Sequence, residues 1–190
     1  MAESIGNDMV YGMSGSVGNM LVYRRRGNRT FVSRRPVINK NRVASAAQLA
    51  VQEKFKEGII YSQTANAIPA LKEAYALAAT GNQTSYNRAF IDFQTPPSFS
   101  GQPDMMDYSG QIGDSFSVKA IDDFSVDRVH VRIQAADSSL IEEGEAVMDI
   151  NGIDWKYTAT QANATLAGTQ LTFKAYDLPG NEAVLALTLN

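Results

Sequence analysis

The sequence predicts an α+β chain in which an N-terminal β-hairpin and helices precede an antiparallel β-sandwich. Three observations carry this reading. Two short alternating runs flank Gly27-Asn28 inside residues 20–36, "MLVYRRRGNRTFVSRRP". Apolar residues then recur at helical spacing between residues 45 and 93, and beyond "QTPPSFSGQPD" at residues 94–104 the period switches to two.

The first nineteen residues are rich in Gly, Ser, Met and Asn, and glycine there permits tight turns or positive φ. "GMSGSVG" superficially resembles a phosphate loop. It lacks the Gly-Lys-Ser/Thr ending, and a strand rather than a helix follows it. In the hairpin, a two-residue loop at Gly27-Asn28 closes antiparallel strands in a primed turn. That closure sets Arg26 opposite Arg29, Arg24 opposite Phe31 and Tyr23 opposite Val32. Leu21, Tyr23 and Val32 then share one face, and Met20, Val22 and Phe31 the other. The base is apolar on both sides and the tip is cationic. Like charges directly opposite cost up to about 1 kcal/mol per pair. Either the arginines splay into water with their stems on apolar surface, or the tip is an arm that meets an anionic surface on another molecule.

Pro36 stops the second strand. Ser45 and Gln48 have capping-box spacing, and Ala47, Val51, Phe55 and Ile59 form an apolar stripe on the helix that follows. Pro69 suits the first turn of a second helix, with Leu71, Ala74, Tyr75 and Ala78 on one face and Gly81 as terminator. Thr84 caps a third, with Tyr86, Ala89, Phe90 and Phe93 aligned. The organisation is therefore a basic hairpin and helical domain over residues 1–95, a linker over 96–104, and a sandwich over 105–190.

In the last segment "SFSVKAI", "RVHVRIQA", "EAVMDI", "DWKYTAT", "QLTFKAY" and "AVLALTL" alternate between turn signals. Six or seven short strands so spaced point to a sandwich of immunoglobulin type, with Trp155, which alternates with Tyr157 and Ile153, read as a core residue. His130, the single histidine, alternates with Val129, Val131 and Ile133 and is read as an outward strand residue.

"VKAIDDFSVDRVHVRI", "EEGEAV", "DWKYTATQAN" and "KAYDLPGNEA" resemble bacterial immunoglobulin-like modules. The whole chain is also similar to a family of Bacteroidota proteins of about this length. That family has a "GS.G..v.yrrrG.r..vs.rP" start, a helical middle and a C-terminal sandwich. It carries no established activity, so the resemblance implies the layout and no substrate.

Composition narrows the function. There is no cysteine, so no disulfide frame or thiolate metal site, and a lone histidine leaves no usual zinc ligand set. Asp122, Asp123, Asp127 and Asp177 could gather at one end of the sandwich, but no EF-hand spacing exists, and turn aspartates serve backbone geometry. No nucleophile–base pattern is visible, so no enzyme, cofactor, metal or small-molecule substrate is expected. No run approaches the ~18 apolar residues of a membrane span. "MAESIGNDMVYGMSG" lacks a basic n-region and apolar h-region, so cytoplasmic synthesis without a Sec signal is expected.

Residues 1–99 hold twelve Lys/Arg against six Asp/Glu, and residues 100–190 five against fourteen, which gives +6 and −9. Asymmetry of this kind suits an anionic partner or head-to-tail attraction between copies. The expectation is a self-assembling structural protein, a building block of a filament, shell or particle. In it Arg24, Arg25, Arg26, Arg29, Arg34 and Arg35 meet an acidic surface that includes Glu142, Glu143 and Glu145 on a solvated strand edge. The rival is nucleic-acid binding, with the same arginines, Lys40 and Arg42 on phosphates and Tyr23 and Phe31 available to stack bases.

Overall fold

The structure is a computed structural model that describes residues 2–4, 9–27, 29–37 and 43–190. Those residues form a mixed α+β chain with three helices and three antiparallel sheets. The chain divides into two compact units, Met1–Ala50 and Val51–Asn190. The division thus falls well before the proline-rich stretch expected to act as a linker.

The first unit is a four-stranded sheet in the order β1-β4-β3-β2. Its strands are β1 (Ala2–Ser4), β2 (Gly15–Val17), β3 (Leu21–Arg26) and β4 (Arg29–Arg34). β3 and β4 pair in the expected register, with Tyr23 opposite Val32, Arg24 opposite Phe31 and Arg26 opposite Arg29. Asn28, the second residue of the expected turn, lies outside the described residues. The two outer strands are the unexpected part. β2 comes from the glycine-rich start and pairs Gly15 with Tyr23 and Val17 with Leu21, while β1 pairs with β4. Three residues are too few for alternation to show. What makes β2 possible is glycine at positive φ on both sides of it, at Gly12 and Gly18 (+76° and +57°).

The helices are locally encoded. α1 (Ala46–Ala67) starts on the expected box: the Ser45 backbone N–H donates to Gln48 Oε1 at 3.1 Å, and the Gln48 N–H donates to Ser45 Oγ at 3.3 Å. α2 (Pro69–Ala78) has its proline at the helix start and ends on Ala79, so Gly81 turns the chain two residues later. Thr84 caps α3 (Ser85–Gln94) by accepting the Asn87 N–H.

The buried face of α1 is not the expected one. Val51 is 70% exposed and Phe55 53%, whereas Gly58, Ser62 and Ala65 are buried. Size decides this. A Cβ on Gly58 would lie 2.9 Å from Phe90 Cε2, 2.9 Å from Gln94 Nε2 and 3.1 Å from Phe93 Cδ1, so α3 side chains rest directly on the α1 backbone. Ser62 satisfies its hydroxyl on Gly58 O at 2.6 Å.

The remaining strands form two sheets. One has the order β5-β6-β10-β9, from β5 (Ser98–Phe99), β6 (Ser115–Ile121), β10 (Asp154–Thr158) and β9 (Val147–Met148). The other has the order β12-β11-β7-β8, from β12 (Glu182–Thr188), β11 (Gln170–Asp177), β7 (Val126–Gln134) and β8 (Leu140–Glu145). Their inward residues make one core: Phe116 and Val118 of β6, Trp155 and Tyr157 of β10, Val129, Val131 and Ile133 of β7, and Leu171 and Phe173 of β11. Full burial of a large apolar side chain is worth roughly 1.5–3 kcal/mol, so this core anchors the unit.

The proline-rich stretch is built into it. Ser98 and Phe99 pair with Ile121 and Ala120, Asp104 bridges Ser117, and the Phe99 ring lies 6.5 Å from that of Phe173. The helices join the same unit through Tyr75 on Phe124 (4.4 Å between ring centroids), Arg88 paired with Asp123 at 2.5 Å, and Asn181 Nδ2 donating to Phe93 O at 3.1 Å. Prolines interrupt the strand pattern here without interrupting the packing.

Gly58→Val should lower stability by about 1–3 kcal/mol through overpacking, read as an earlier urea midpoint by far-UV circular dichroism. Val51→Ala, at an exposed position of the same helix, should stay within about 0.5 kcal/mol of the parent.

Candidate functional site

Among the expected partner-binding residues, the arginines lie where the strand register puts them. Arg24, Arg25, Arg26, Arg29, Arg34 and Arg35 are all exposed. Alternation along β3 and β4 sends Arg24, Arg26 and Arg29 to one face with Val22 and Phe31, and Arg25 and Arg34 to the other with Tyr23 and Val32. Arg25 donates from Nε to Gly27 O at 3.0 Å and stands 5.9 Å from the centre of the Tyr11 ring. The Arg35 guanidinium bonds the side-chain oxygen of Asn19. Lys40 and Arg42 lie outside the described residues.

The sheet that carries these arginines has little interior. Thr30 is the one buried residue of the unit among those described, and Leu21, Val22, Tyr23, Phe31 and Val32 are half-buried. Met20 is 74% exposed, and Met9, Tyr11 and Val17 are exposed as well. With the structural boundary at Ala50, residues 1–50 hold eight Lys/Arg against two Asp/Glu, or +6. Residues 51–190 hold nine against eighteen, or −9. The charge division therefore coincides with the structural one.

The expected acidic acceptor does not form a single surface. β8 is an outer strand, as expected, but alternation separates its three glutamates. Glu142 sits opposite the core residue Ile133 and is buried, where its Oε2 accepts from the Thr160 N–H at 2.9 Å, Thr160 Oγ1 at 2.7 Å and the Tyr157 hydroxyl at 3.3 Å. Burial, with the Glu142 charge adding, pushes the Tyr157 hydroxyl up to about 12. Glu143 and Glu145 face outward opposite Arg132 and His130. Glu143 Oε2 lies 3.8 Å from Arg132 Nε, and Arg128 and Lys174 share that face. Glu142 is thus a structural carboxylate, and the other two belong to a surface of mixed sign.

A buried polar cluster escaped the sequence reading. Tyr61 and Tyr75 share a hydroxyl–hydroxyl bond of 2.7 Å, and the Tyr75 hydroxyl donates to Asp92 Oδ2 at 2.6 Å. Asp92 Oδ1 and Asp122 Oδ1 are buried without a hydrogen-bond partner. Burial pushes the Asp92 carboxyl up to about 7. The Tyr75 bond and Arg88 oppose that shift, and the charges of Asp122 and Asp177 reinforce it. Arg88 and Asp92 stand four residues apart on α3, a spacing that reads as easily as an exposed ion pair. In the fold both are buried, and Arg88 pairs with Asp123 while Asp92 accepts from Tyr75.

The sandwich-end aspartates hold turns. Asp122 Oδ2 accepts the Phe124 and Ser125 N–H groups, Asp123 pairs with Arg88, and Asp177 accepts from Asn181 at 2.6 and 2.7 Å. Asp127 is exposed. Among the described residues no group of three or more His, Asp or Glu is placed to hold a metal ion, and no helix is long and apolar enough to cross a membrane. No family model, curated protein or solved structure matches the chain.

Two outcomes test these assignments. Glu142→Ala should destabilise the second unit by about 1–3 kcal/mol, because buried donors lose their acceptor, while Glu143→Ala and Glu145→Ala should stay within about 0.5 kcal/mol; Trp155 fluorescence in urea separates them. For Asp92, the folded state keeps a proton that the unfolded chain gives up above its ordinary value of 3.8. Its contribution therefore favours folding less and less as pH rises from about 4 to about 7, and is fully lost above that. Asp92→Asn should remove that loss, so the stability of the variant relative to the parent should rise across the same window.

Proposed function

We propose that the chain is a non-enzymatic, self-assembling structural protein, the building block of a filament, shell or particle joined by head-to-tail contacts. One observation carries this reading: among the described residues of the first unit, only Thr30 is buried. A sheet with short outer strands, apolar side chains on both faces and arginines at its tip gains stability from a neighbour. The +6 and −9 units supply attraction between copies. A contact between unlike surfaces is heterologous, so it propagates rather than stopping at a dimer. Exposed ion pairs contribute only about 0–1 kcal/mol each, so the arginines set encounter and register, and apolar burial supplies most of the affinity.

We read the paired sheets as an immunoglobulin-like sandwich, on the strength of short strands alternating around Trp155 and Phe173 in one core. Membership of the Bacteroidota family described above remains part of the same proposal, as does cytoplasmic synthesis followed by release within an assembled particle. A second reading is nucleic-acid binding. It is favoured by Arg24, Arg26 and Arg29 lying on one strand face beside Phe31, an arrangement fit for phosphates and one stacked base.

Light scattering and negative-stain imaging of the purified protein should show concentration-dependent polymers. Changing Arg25, Arg26 and Arg29 together to glutamate should abolish them and leave the β core folded by circular dichroism. A monomer at every concentration overturns the self-assembly reading. The rival would show as DNA binding that weakens steeply with salt, with a log–log slope of about −0.9 per phosphate neutralised.

A further inference from the structure

β9 is the outer strand of the sheet β5-β6-β10-β9 and only two residues long, Val147–Met148. Its apolar residues are unusually bare. Val147 is 73% exposed, Met148 is about half exposed, and Ile150 in the following turn is fully exposed. Beside this edge the sheet carries a shallow hollow of about 140 Å³, lined by Asp104, Asp107, Asp149 and Asp154 against Lys156 as its one basic residue. Three of the aspartates also hold local turns: Asp104 Oδ1 accepts the Met106 N–H, Asp149 Oδ1 the Ile150 N–H, and Asp154 Oδ2 the Asn151 amide. The surface therefore combines an open strand edge, exposed aliphatic side chains and a local excess of three negative charges.

We infer that this edge receives the arginine sheet of a second copy of the chain. The inference rests on the self-assembly reading above and names its acceptor. The two surfaces are complementary feature by feature. Arg24, Arg25 and Arg26 at the hairpin tip are opposite in sign to the aspartates. The exposed Val17 and Met20 match Val147, Met148 and Ile150 in apolar character. The open edge of β9 is also the kind of template that another strand extends. The outer face of β7, β8 and β11 offers no such match, because Arg128, Arg132 and Lys174 stand among its glutamates.

The test uses the full chain with Asp104, Asp149 and Asp154 changed to asparagine, which removes charge and keeps a side-chain oxygen for each turn. This acceptor variant should assemble at least tenfold more weakly than the parent by light scattering. Ile150→Lys, at a position with no packing to lose, should weaken assembly in the same direction. The arginine-to-glutamate variant keeps the hollow, and the acceptor variant keeps the arginines. Mixed in equal amounts, at a concentration where neither polymerises alone, the two should form heterodimers that do not grow. Parent-like polymers from the aspartate variant, with none from the arginine variant, would place the acceptor elsewhere and leave self-assembly standing. Absence of heterodimers from two folded variants would likewise overturn this acceptor. A parent protein that stays monomeric would remove self-assembly itself.

Discussion

The edge-to-face packing of Phe116 on Phe173, with ring centroids 5.8 Å apart, joins the two sheets of the second unit. Much else follows from that contact because strand side chains alternate. With Phe116 and Val118 inward on β6, Tyr157 and Trp155 must face them from β10, and Asp154 and Lys156 must face out. With Phe173 inward on β11, Val131 and Ile133 follow on β7, and β8 inherits the same parity. That parity sends Glu142 and Gly144 inward. A Cβ on Gly144 would meet the Tyr157 hydroxyl at 3.2 Å, so the small residue makes room for the tyrosine that Glu142 engages.

The same core explains why the helices belong to the second unit. Phe99 packs on the core, and the β6–β7 turn presents Phe124 and Asp123 to Tyr75 and Arg88. Ionic and aromatic contacts therefore close over Asp92, and its carboxyl is kept from water by residues that are distant in sequence. Such a site is costly for a charge and inexpensive for a protonated acid.

The first unit follows the opposite regime. Its strands satisfy one another's backbone groups, yet its side chains find little to cover them. Stability that a chain does not obtain from its own core has to come from elsewhere, and a sheet with free edges is the kind that other strands extend. Arg26 and Arg29 stand directly opposite each other at its tip.

Local features were legible in the sequence: the hairpin register around Gly27, the Ser45–Gln48 box, Pro69, Thr84, and the inward alternation of Trp155 and Tyr157. Each depends on residues a few positions apart, where backbone geometry leaves few alternatives. Three features depended on tertiary structure. The buried face of α1 follows Gly58 rather than Val51 and Phe55, because close approach of α3 outweighs side-chain hydrophobicity. Glu142 separates from Glu143 and Glu145 because the pleat alternates, and the core fixes which parity faces in. The proline-rich stretch joins a sheet because β6 offers it an edge, and neither a proline count nor a composition shift reports an edge. Short-range chemistry thus set the elements, and the choice of which faces meet depended on shape and burial between residues far apart in the chain.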